Sequence, residues 1–187
     1  PQQDFLKSYF DEATSTLNPR NNPRFTFFVY GDLPINVAKG VTVFLDNNFP
    51  RDDGASWQSY DQNYRVGRIL DGVMDMGTLV MLFFVARQAY KDNRIALLAA
   101  LLYAGTALAI QQAHFFVVDS FTAFFVTVAI FFIIRLSQRG QFIDYVLAGA
   151  FVGISLATKL SIFTLALVVA VAGLYRLWVD SKELGFS

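Results

Sequence analysis

Five apolar stretches separated by short polar connections fill the chain from Ile69 to Val179. They cover approximately residues 69–89, 95–111, 117–136, 142–158 and 161–178. Each is close to the roughly 20 residues that cross a bilayer as an α-helix, although the fourth is marginal. Because the connections are short, neighbouring helices are expected to run antiparallel. The sequence therefore predicts an all-α integral membrane protein with about five transmembrane helices.

The composition agrees with a membrane environment and excludes some chemistry. Of the 187 residues, 55% are hydrophobic and only 16% are charged, whereas soluble domains are nearer one-quarter charged. The net charge of zero gives no reason to expect a nucleic-acid partner. The absence of cysteine excludes disulfides and thiolate ligands. With a single histidine and scattered carboxylates we expect no cofactor, and a divalent metal has no support from the residues.

The first 62 residues are polar and contain clusters typical of turns, at 18–23 and 47–54. Between these clusters, residues 33–45 have apolar side chains at helical spacing, with Pro34 suited to a first helical turn. This segment is too short to span a bilayer, which favours a juxtamembrane or interfacial helix, or the top of a spanning helix. The predicted domains are an external loop region, 1–62, and a transmembrane helical domain, 63–187.

Basic residues predict the orientation. They concentrate in alternate connections and at the C-terminal end of the chain: Arg87, Lys91, Arg94, Arg135, Arg139, Arg176 and Lys182. The opposite connections hold only Lys159. By the positive-inside rule, the C-terminus is expected in the cytoplasm and the N-terminal segment outside, in a plasma (inner) membrane.

Unusual polar residues cluster at the ends of the spans on the predicted external side. A carboxylate at membrane depth costs several kcal/mol, so each acid there is a candidate for function. Asp71 and Asp75 are four residues apart and share a helical face, where they repel unless a cation lies between them. Together these residues predict a polar cavity that opens to the outside. The candidates for substrate or cavity contacts are Arg68, Asp71, Asp75, His114, Asp119 and Lys159.

Structural roles are open for three of these candidates. Asp119 precedes a helix-forming run and is suited to cap the helix that follows. His114 fits an interfacial residue hydrogen-bonded to a neighbour, and Lys159 fits a side chain that snorkels to the interface. The segment 148–155 is rich in small residues, and we interpret it as a surface for close helix packing.

Several segments resemble polyprenyl-phosphate-dependent glycosyltransferases of the GT-C class, of the protein mannosyltransferase and aminoarabinose transferase type. The order and spacing of four motifs are more specific than any one of them. The similar segments are GRILDG (67–72) with RQAYKDNRIALLAALLYA (87–104), QQAHFFVVDSFTAFF (111–125), DYVLAGAFVGISLATKLS (144–161), and in the N-terminal region YFDEATSTLNP (9–19) and FFVYGDLP (27–34).

This resemblance implies a GT-C-like fold and transfer of a sugar from a polyprenyl-phosphate carrier to an acceptor on the external face, as in bacterial members. It implies an inverting reaction with a carboxylate as general base and a cation near the departing phosphate. Arg68 or Lys159 would supply the cation, and Asp119 and His114 would line the donor or acceptor pocket. The family's catalytic acid is expected upstream of Pro1, so the catalytic residue is unknown here and the chain resembles an internal or partial segment. The partners implied are membrane lipids and a polyprenyl-phosphate-linked sugar.

Two alternatives from other classes stay open. A non-catalytic transmembrane subunit of a larger respiratory or photosynthetic membrane complex would retain the fold without the catalytic carboxylate. A small transporter or channel would use the external acids, although the sequence has no internal repeat of the transporter kind. Co-purification with a larger assembly would indicate the first alternative, and solute flux in reconstituted vesicles the second.

Overall fold

A computed structural model describes residue 11 and residues 30–183 as a bundle of helices. Most of the N-terminal segments at 9–19 and 27–34, which carry part of the resemblance, lie outside the described residues. The helices are α1 (Leu33–Asn48), α2 (Tyr60–Tyr90), α3 (Asn93–Ala104), α4 (Ala107–Gln112), α5 (Val118–Arg139), α6 (Phe142–Thr158), a 3₁₀ helix (Leu160–Thr164) and α7 (Leu165–Glu183). The described part contains no strand, only an isolated β-bridge between Tyr30 and Lys159. The predicted all-α fold is confirmed.

Among the described residues, three helical segments are long and apolar enough to cross a membrane: α2, α5 and the segment Leu160–Lys182. At 1.5 Å per residue, the 31 residues of α2 extend about 46 Å, more than a hydrocarbon core is thick. Two further apolar helices, α3 and α6, are shorter. The predicted second span is not continuous, because α3 ends at Ala104 and Thr106, in an extended conformation, begins α4. Gly105 lies at this break, and glycine is a poor helix former.

The central helix is α5, which packs against α2, α6 and α7. Its buried residues Ile133 and Leu136 form a core with Ala148 of α6 and Ala172 of α7. The outer surfaces stay apolar: within the last span, Leu160–Lys182, Ala172 alone is buried. Exposed apolar surface of this extent is suited to lipid, and the chain is an integral membrane protein.

Helix α6 buries one face against α5. The buried positions Asp144, Ala148, Val152 and Ser155 repeat at helical spacing. The small-residue segment 148–155 therefore does contribute to packing through Ala148 and Ser155. Its glycines do not, because a Cβ added at Gly149 or Gly153 would meet no atom within 4 Å.

The bundle has a basic end, which we define as residues 84–94, 135–144 and 176–182. Gln88 of α2 donates a hydrogen bond to Gln138 of α5 (2.7 Å), and Arg176 of α7 donates to the Gln138 carbonyl (3.3 Å). Arg135 pairs with the fully buried Asp144 at 3.0 Å, which joins α5 to α6. The basic connections that the sequence predicts on one side therefore meet at one end of the bundle.

Candidate functional site

The opposite end, which we call the polar end, consists of residues 64–71 of α2, 113–122 around the start of α5, and 155–159 at the end of α6. Helix α1 packs against α2 and α6. The segment before α1 is fixed to this end, because the Gly31 amide donates to the Thr158 carbonyl at 2.8 Å. A side chain at Gly31 has no room: its Cβ would lie 1.8 Å from the Ala157 carbonyl oxygen. The five candidates Arg68, Asp71, His114, Asp119 and Lys159 lie at this end.

Asp119 and Lys159 form an ion pair that joins the first turn of α5 to the residue after α6. Lys159 Nζ lies 2.8 Å from Asp119 Oδ1, and the two side chains are 26% and 37% exposed. Lys159 Nζ also lies 5.5 Å from the centroid of the Tyr30 ring, a cation–π distance. Lys159 therefore does more than snorkel: a carboxylate and an aromatic ring hold a cation that a ligand can still reach.

Two threonines fix the helices beside this pair. Thr122 of α5 donates to the Thr158 hydroxyl of α6 at 2.9 Å, and Thr158 donates to the Ser155 carbonyl at 2.6 Å. Thr158 is fully buried. These bonds set the distance between α5 and α6 and thereby position Asp119 opposite Lys159.

Asp71 is fully buried in α2 and caps a different helix. Its Oδ2 accepts a hydrogen bond from the amide of Val117, the N-cap residue of α5, at 2.7 Å. A carboxylate at this position complements the positive end of the helix dipole. Ser120 lies beside the carboxylate, yet Asp71 Oδ1 has no hydrogen bond of good geometry among the described residues. The sequence allowed Asp119 to cap α5. In the structure, Asp71 is the residue that caps this helix.

Asp75 lies one turn deeper and has a separate partner. Its Oδ1 accepts a hydrogen bond from the Tyr103 hydroxyl of α3 at 2.6 Å. Within residues 30–183, neither Asp71 nor Asp75 forms an ion pair. Their shared helical face therefore does not hold a cation between two acids; one acid contacts α5 and the other contacts α3.

Arg68 and His114 line a cleft of about 380 Å³ together with Arg65, Ile69 and Ala113. His114 Nδ1 lies 2.6 Å from the Ile110 carbonyl oxygen. Since a carbonyl oxygen only accepts, Nδ1 donates this bond, and Nε2 is left for another partner. The hydrogen bond to a neighbour that the sequence allowed for His114 is present.

The 113–117 turn sits close to α2 at the wall of this cleft. Phe116 packs edge-on to Tyr64 with ring centroids 6.4 Å apart. A Cβ at Gly67 would lie 2.4 Å from the Phe116 ring, so glycine is needed for this approach.

The six candidates thus form three groups: the Asp119–Lys159 pair with Asp71 beneath it, the Arg68–His114 cleft, and the deeper Asp75. Sequence reasoning missed the two tyrosines that contact them, Tyr30 and Tyr103. Tyr103 could have been noticed as the polar group in the otherwise apolar run 95–104 of α3. Among the described residues, no three His, Cys, Asp or Glu side chains form a group that could hold a metal ion.

Comparison with known proteins adds the family. The family model for dolichyl-phosphate-mannose-protein mannosyltransferase matches residues 44–185, about three-quarters of the chain. The matched region begins near the end of α1, includes all of α7 and contains all six candidate residues. No curated protein and no solved structure gave a match. The chain therefore belongs to the dolichyl-phosphate-mannose-protein mannosyltransferase family.

Proposed function

We propose that this chain is part of a membrane glycosyltransferase that moves a sugar from a polyprenyl-phosphate carrier to an acceptor on the external face, with the polar end as the place of reaction. Family membership supports the mannosyltransferase type. The observation that carries the proposal is the partly exposed Asp119–Lys159 ion pair at the end of the packed helices. A partly exposed cation that an acid holds in place at the end of apolar helices is suited to contact a charged ligand, and charged residues beside membrane spans indicate function.

Sugar transfer from a phosphate carrier is faster when a cation lies beside the leaving group. In an inverting transfer, the acceptor hydroxyl attacks the anomeric carbon while the bond from that carbon to the phosphate oxygen breaks. The phosphate leaves with added negative charge, which a fixed cation stabilises. A general base takes the hydroxyl proton. We place this base on a carboxylate outside the candidate residues named here, in keeping with the family resemblance.

Arg68 and Lys159 differ in how they suit the phosphate. Arg68 is exposed beside His114 and has no ion pair within residues 30–183, so its guanidinium can form bidentate hydrogen bonds to a phosphate. Lys159 is held by Asp119. We therefore assign first contact with the carrier phosphate to Arg68, and to the Asp119–Lys159 pair the walls of the acceptor or donor pocket.

The first test is sugar transfer by the full-length protein in membranes, with polyprenyl-phosphate-linked mannose as donor. Arg68→Ala is expected to lower transfer roughly 100-fold, as for loss of one charge-stabilising donor. Asp119→Asn is expected to abolish most transfer while the protein stays inserted and folded. Arg139→Ala, an exposed arginine at the basic end, is the matched control and should leave transfer unchanged. Full activity of both polar-end variants would overturn the site assignment, and absence of transfer by the parent protein would favour a non-catalytic membrane subunit.

A charge exchange separates a structural ion pair from a pair that contacts substrate. Asp119→Lys with Lys159→Asp keeps the attraction across α5 and α6 but moves each charge to the other helix. If either side chain touches substrate, the double variant stays inactive although its thermal stability recovers relative to the single variants. Recovery of transfer along with stability would assign the pair a structural role only.

A further inference from the structure

A second cleft, of about 730 Å³, lies at the basic end, away from the candidate site. It is lined by the last two turns of α2, the connection from α2 to α3, the first turn of α3 and one residue of α5. The lining residues that matter below are Arg87, Lys91, Asp92, Arg94, Phe84 and Phe131.

The cleft is positively charged and its cations are not neutralised by neighbours. Three cations face one carboxylate, a formal balance of +2 in the lining. The carboxylate of Asp92 already accepts the amide of Arg94 at 2.6 Å as the cap of α3. Within residues 30–183 none of the three cations forms an ion pair, whereas Arg135 and Arg176 at the same end do.

The helix dipoles account for two of the three cations but not for the third. Arg87 and Lys91 lie at the C-terminal end of α2, where positive charge is favourable. Arg94 lies in the first turn of α3, at the positive end of its dipole, where positive charge is unfavourable. Arg94 is also exposed, so its position contributes nothing to packing. An anion bound in the cleft would supply the compensating charge.

The apolar side of the cleft indicates what kind of anion fits. Phe84 and Phe131 contribute to its lining. Exposed apolar side chains continue from it along both helices, with Val80 on α2 and Leu97 and Leu101 on α3. A free phosphate would not contact this apolar surface. A phospholipid would contact both parts of the cleft, because its acyl chains would cover the leucines while its phosphate binds the arginines.

We propose that this cleft binds the headgroup of an anionic glycerophospholipid, with the phosphate between Arg87, Lys91 and Arg94 and the acyl chains along the exposed faces of α2 and α3. The site would be occupied whichever way the chain is oriented in the bilayer. It is independent of the proposed sugar transfer, since it shares no residue with the polar end.

Native mass spectrometry of the detergent-purified full-length protein tests the proposal. The probes are phosphatidylglycerol, phosphatidylcholine and inorganic phosphate. Phosphatidylglycerol should bind more tightly than phosphatidylcholine. The variant Arg87→Gln/Arg94→Gln should weaken phosphatidylglycerol binding about tenfold or more, the factor expected for two interfacial cations. The matched control, Arg139→Gln/Lys182→Gln, removes two cations from the same end outside the cleft and should stay within about twofold of the parent protein.

Three results would overturn the proposal. Equal loss of binding in both double variants would show diffuse attraction to the basic end without a site. Equal binding of phosphatidylglycerol and phosphatidylcholine would show that the cleft does not recognise the anionic headgroup. Displacement of the lipid by millimolar inorganic phosphate would show that the cleft binds a free anion.

If the double variant does not fold, the single variant Arg94→Gln provides a second test of the proposal. Without lipid, its thermal midpoint should be unchanged or higher, because an unfavourable charge is removed from a helix N-terminus. With phosphatidylglycerol, the lipid-induced rise in midpoint should be smaller than in the parent protein. A lower midpoint without lipid, with an unchanged lipid response, would assign Arg94 a structural role and contradict the proposal.

Discussion

Single glycines determine how closely segments approach at the polar end. Gly31 passes against the Ala157 carbonyl oxygen, and Gly67 passes against the Phe116 ring. In both places a Cβ would lie closer than 3 Å to a neighbouring atom. Gly31 has the stricter requirement, because its neighbour is backbone and cannot rotate away. Because Tyr30 precedes Gly31, this contact also places the ring over Lys159.

Gly31→Ala is therefore expected to lower the thermal unfolding midpoint and to reduce sugar transfer, since Tyr30 and the Gly31–Thr158 hydrogen bond must move. Gly40→Ala is the control: this glycine lies inside α1 with no atom near its Cβ position. Alanine there should stabilise the helix by about 1 kcal/mol. Both midpoints are measured in detergent by intrinsic fluorescence. Equal effects of the two substitutions would contradict the close approach at Gly31.

The Tyr103–Asp75 hydrogen bond is a second residue-scale determinant, partly buried between α2 and α3. Tyr103→Phe removes the donor and leaves a carboxyl group in an apolar helix without its partner. We expect a loss of about 1–3 kcal/mol in the free energy of unfolding. Tyr175→Phe, at an exposed tyrosine of α7, is the matched control and should change little. A stability of Tyr103→Phe equal to that of the parent protein would show that Asp75 finds a replacement donor.

The residue types at the polar end could be predicted from the sequence, but their partners could not. Charge in an apolar run marks Asp71, Asp75, Asp119 and Lys159 without any structure. The partners are 28 residues away for Asp75, 46 for Asp71 and 40 for Asp119. Contacts at such separations depend on how helices pack, which hydrophobic periodicity does not specify. The sequence predicts one polar cavity, whereas the structure divides the candidates among three groups of contacts.

At the scale of elements, the Asp46 side chain holds the connection between α1 and α2 in place. Asp46, near the end of α1, accepts hydrogen bonds from the Ser56 hydroxyl at 2.7 Å, the Trp57 amide at 2.6 Å and the Gln58 side chain at 2.8 Å. The Trp57 indole donates to the Phe49 carbonyl at 2.8 Å. A polar connection of this kind holds a fixed shape only while the carboxylate is charged.

This dependence predicts a pH transition. Hydrogen bonds from Ser56 and Gln58 lower the pKa of Asp46 from its ordinary value of 3.8. Because the folded pKa is the lower one, the contribution of Asp46 to stability is complete above about pH 3.8 and is lost as the pH falls through the folded pKa. Trp57 emission, recorded in a Trp178→Phe background, should change in that range.

Two variants at acids of this region check the assignment. Asp46→Ala should show the acid form of the Trp57 signal at neutral pH. Asp52→Ala, at an exposed acid nearby, should keep the transition. A transition that survives in Asp46→Ala would assign it to another group.

Helices were the most predictable elements, and their interruptions were the least. The helix predicted at 33–45 is present as α1, with proline in its first turn. The break at Gly105 was missed because an apolar stretch keeps its hydropathy through a glycine, whereas the backbone needs a new N-cap at Thr106. The segment after Lys159 likewise begins as a 3₁₀ helix before α7. Such changes of helix type leave no trace in hydrophobic periodicity.

At the scale of the whole molecule, the helix directions sort the charges, because α2 and α5 run from the polar end to the basic end and α6 runs back. The cations of alternate connections meet at the basic end, and the Asp119–Lys159 pair with its neighbours lies at the polar end. This sorting could be predicted from the sequence, because charge bias and span order are both local properties. Which end faces the cytoplasm is set by the membrane and is a matter for experiment.

Cysteine labelling in intact cells addresses that orientation directly, because these 187 residues contain no cysteine that would react. Ala55→Cys lies in the connection between α1 and α2, and Gln141→Cys lies at the basic end, and both positions are exposed. By the positive-inside rule, a membrane-impermeant maleimide should label Ala55→Cys in intact cells and Gln141→Cys only after permeabilisation. The reverse pattern would place the polar end in the cytoplasm and would contradict sugar transfer on the external face. Labelling of both positions in intact cells would place residues 55 and 141 on the same side of the membrane. This result would contradict the odd number of crossings that the sequence predicts between them, because an odd number places the two positions on opposite sides.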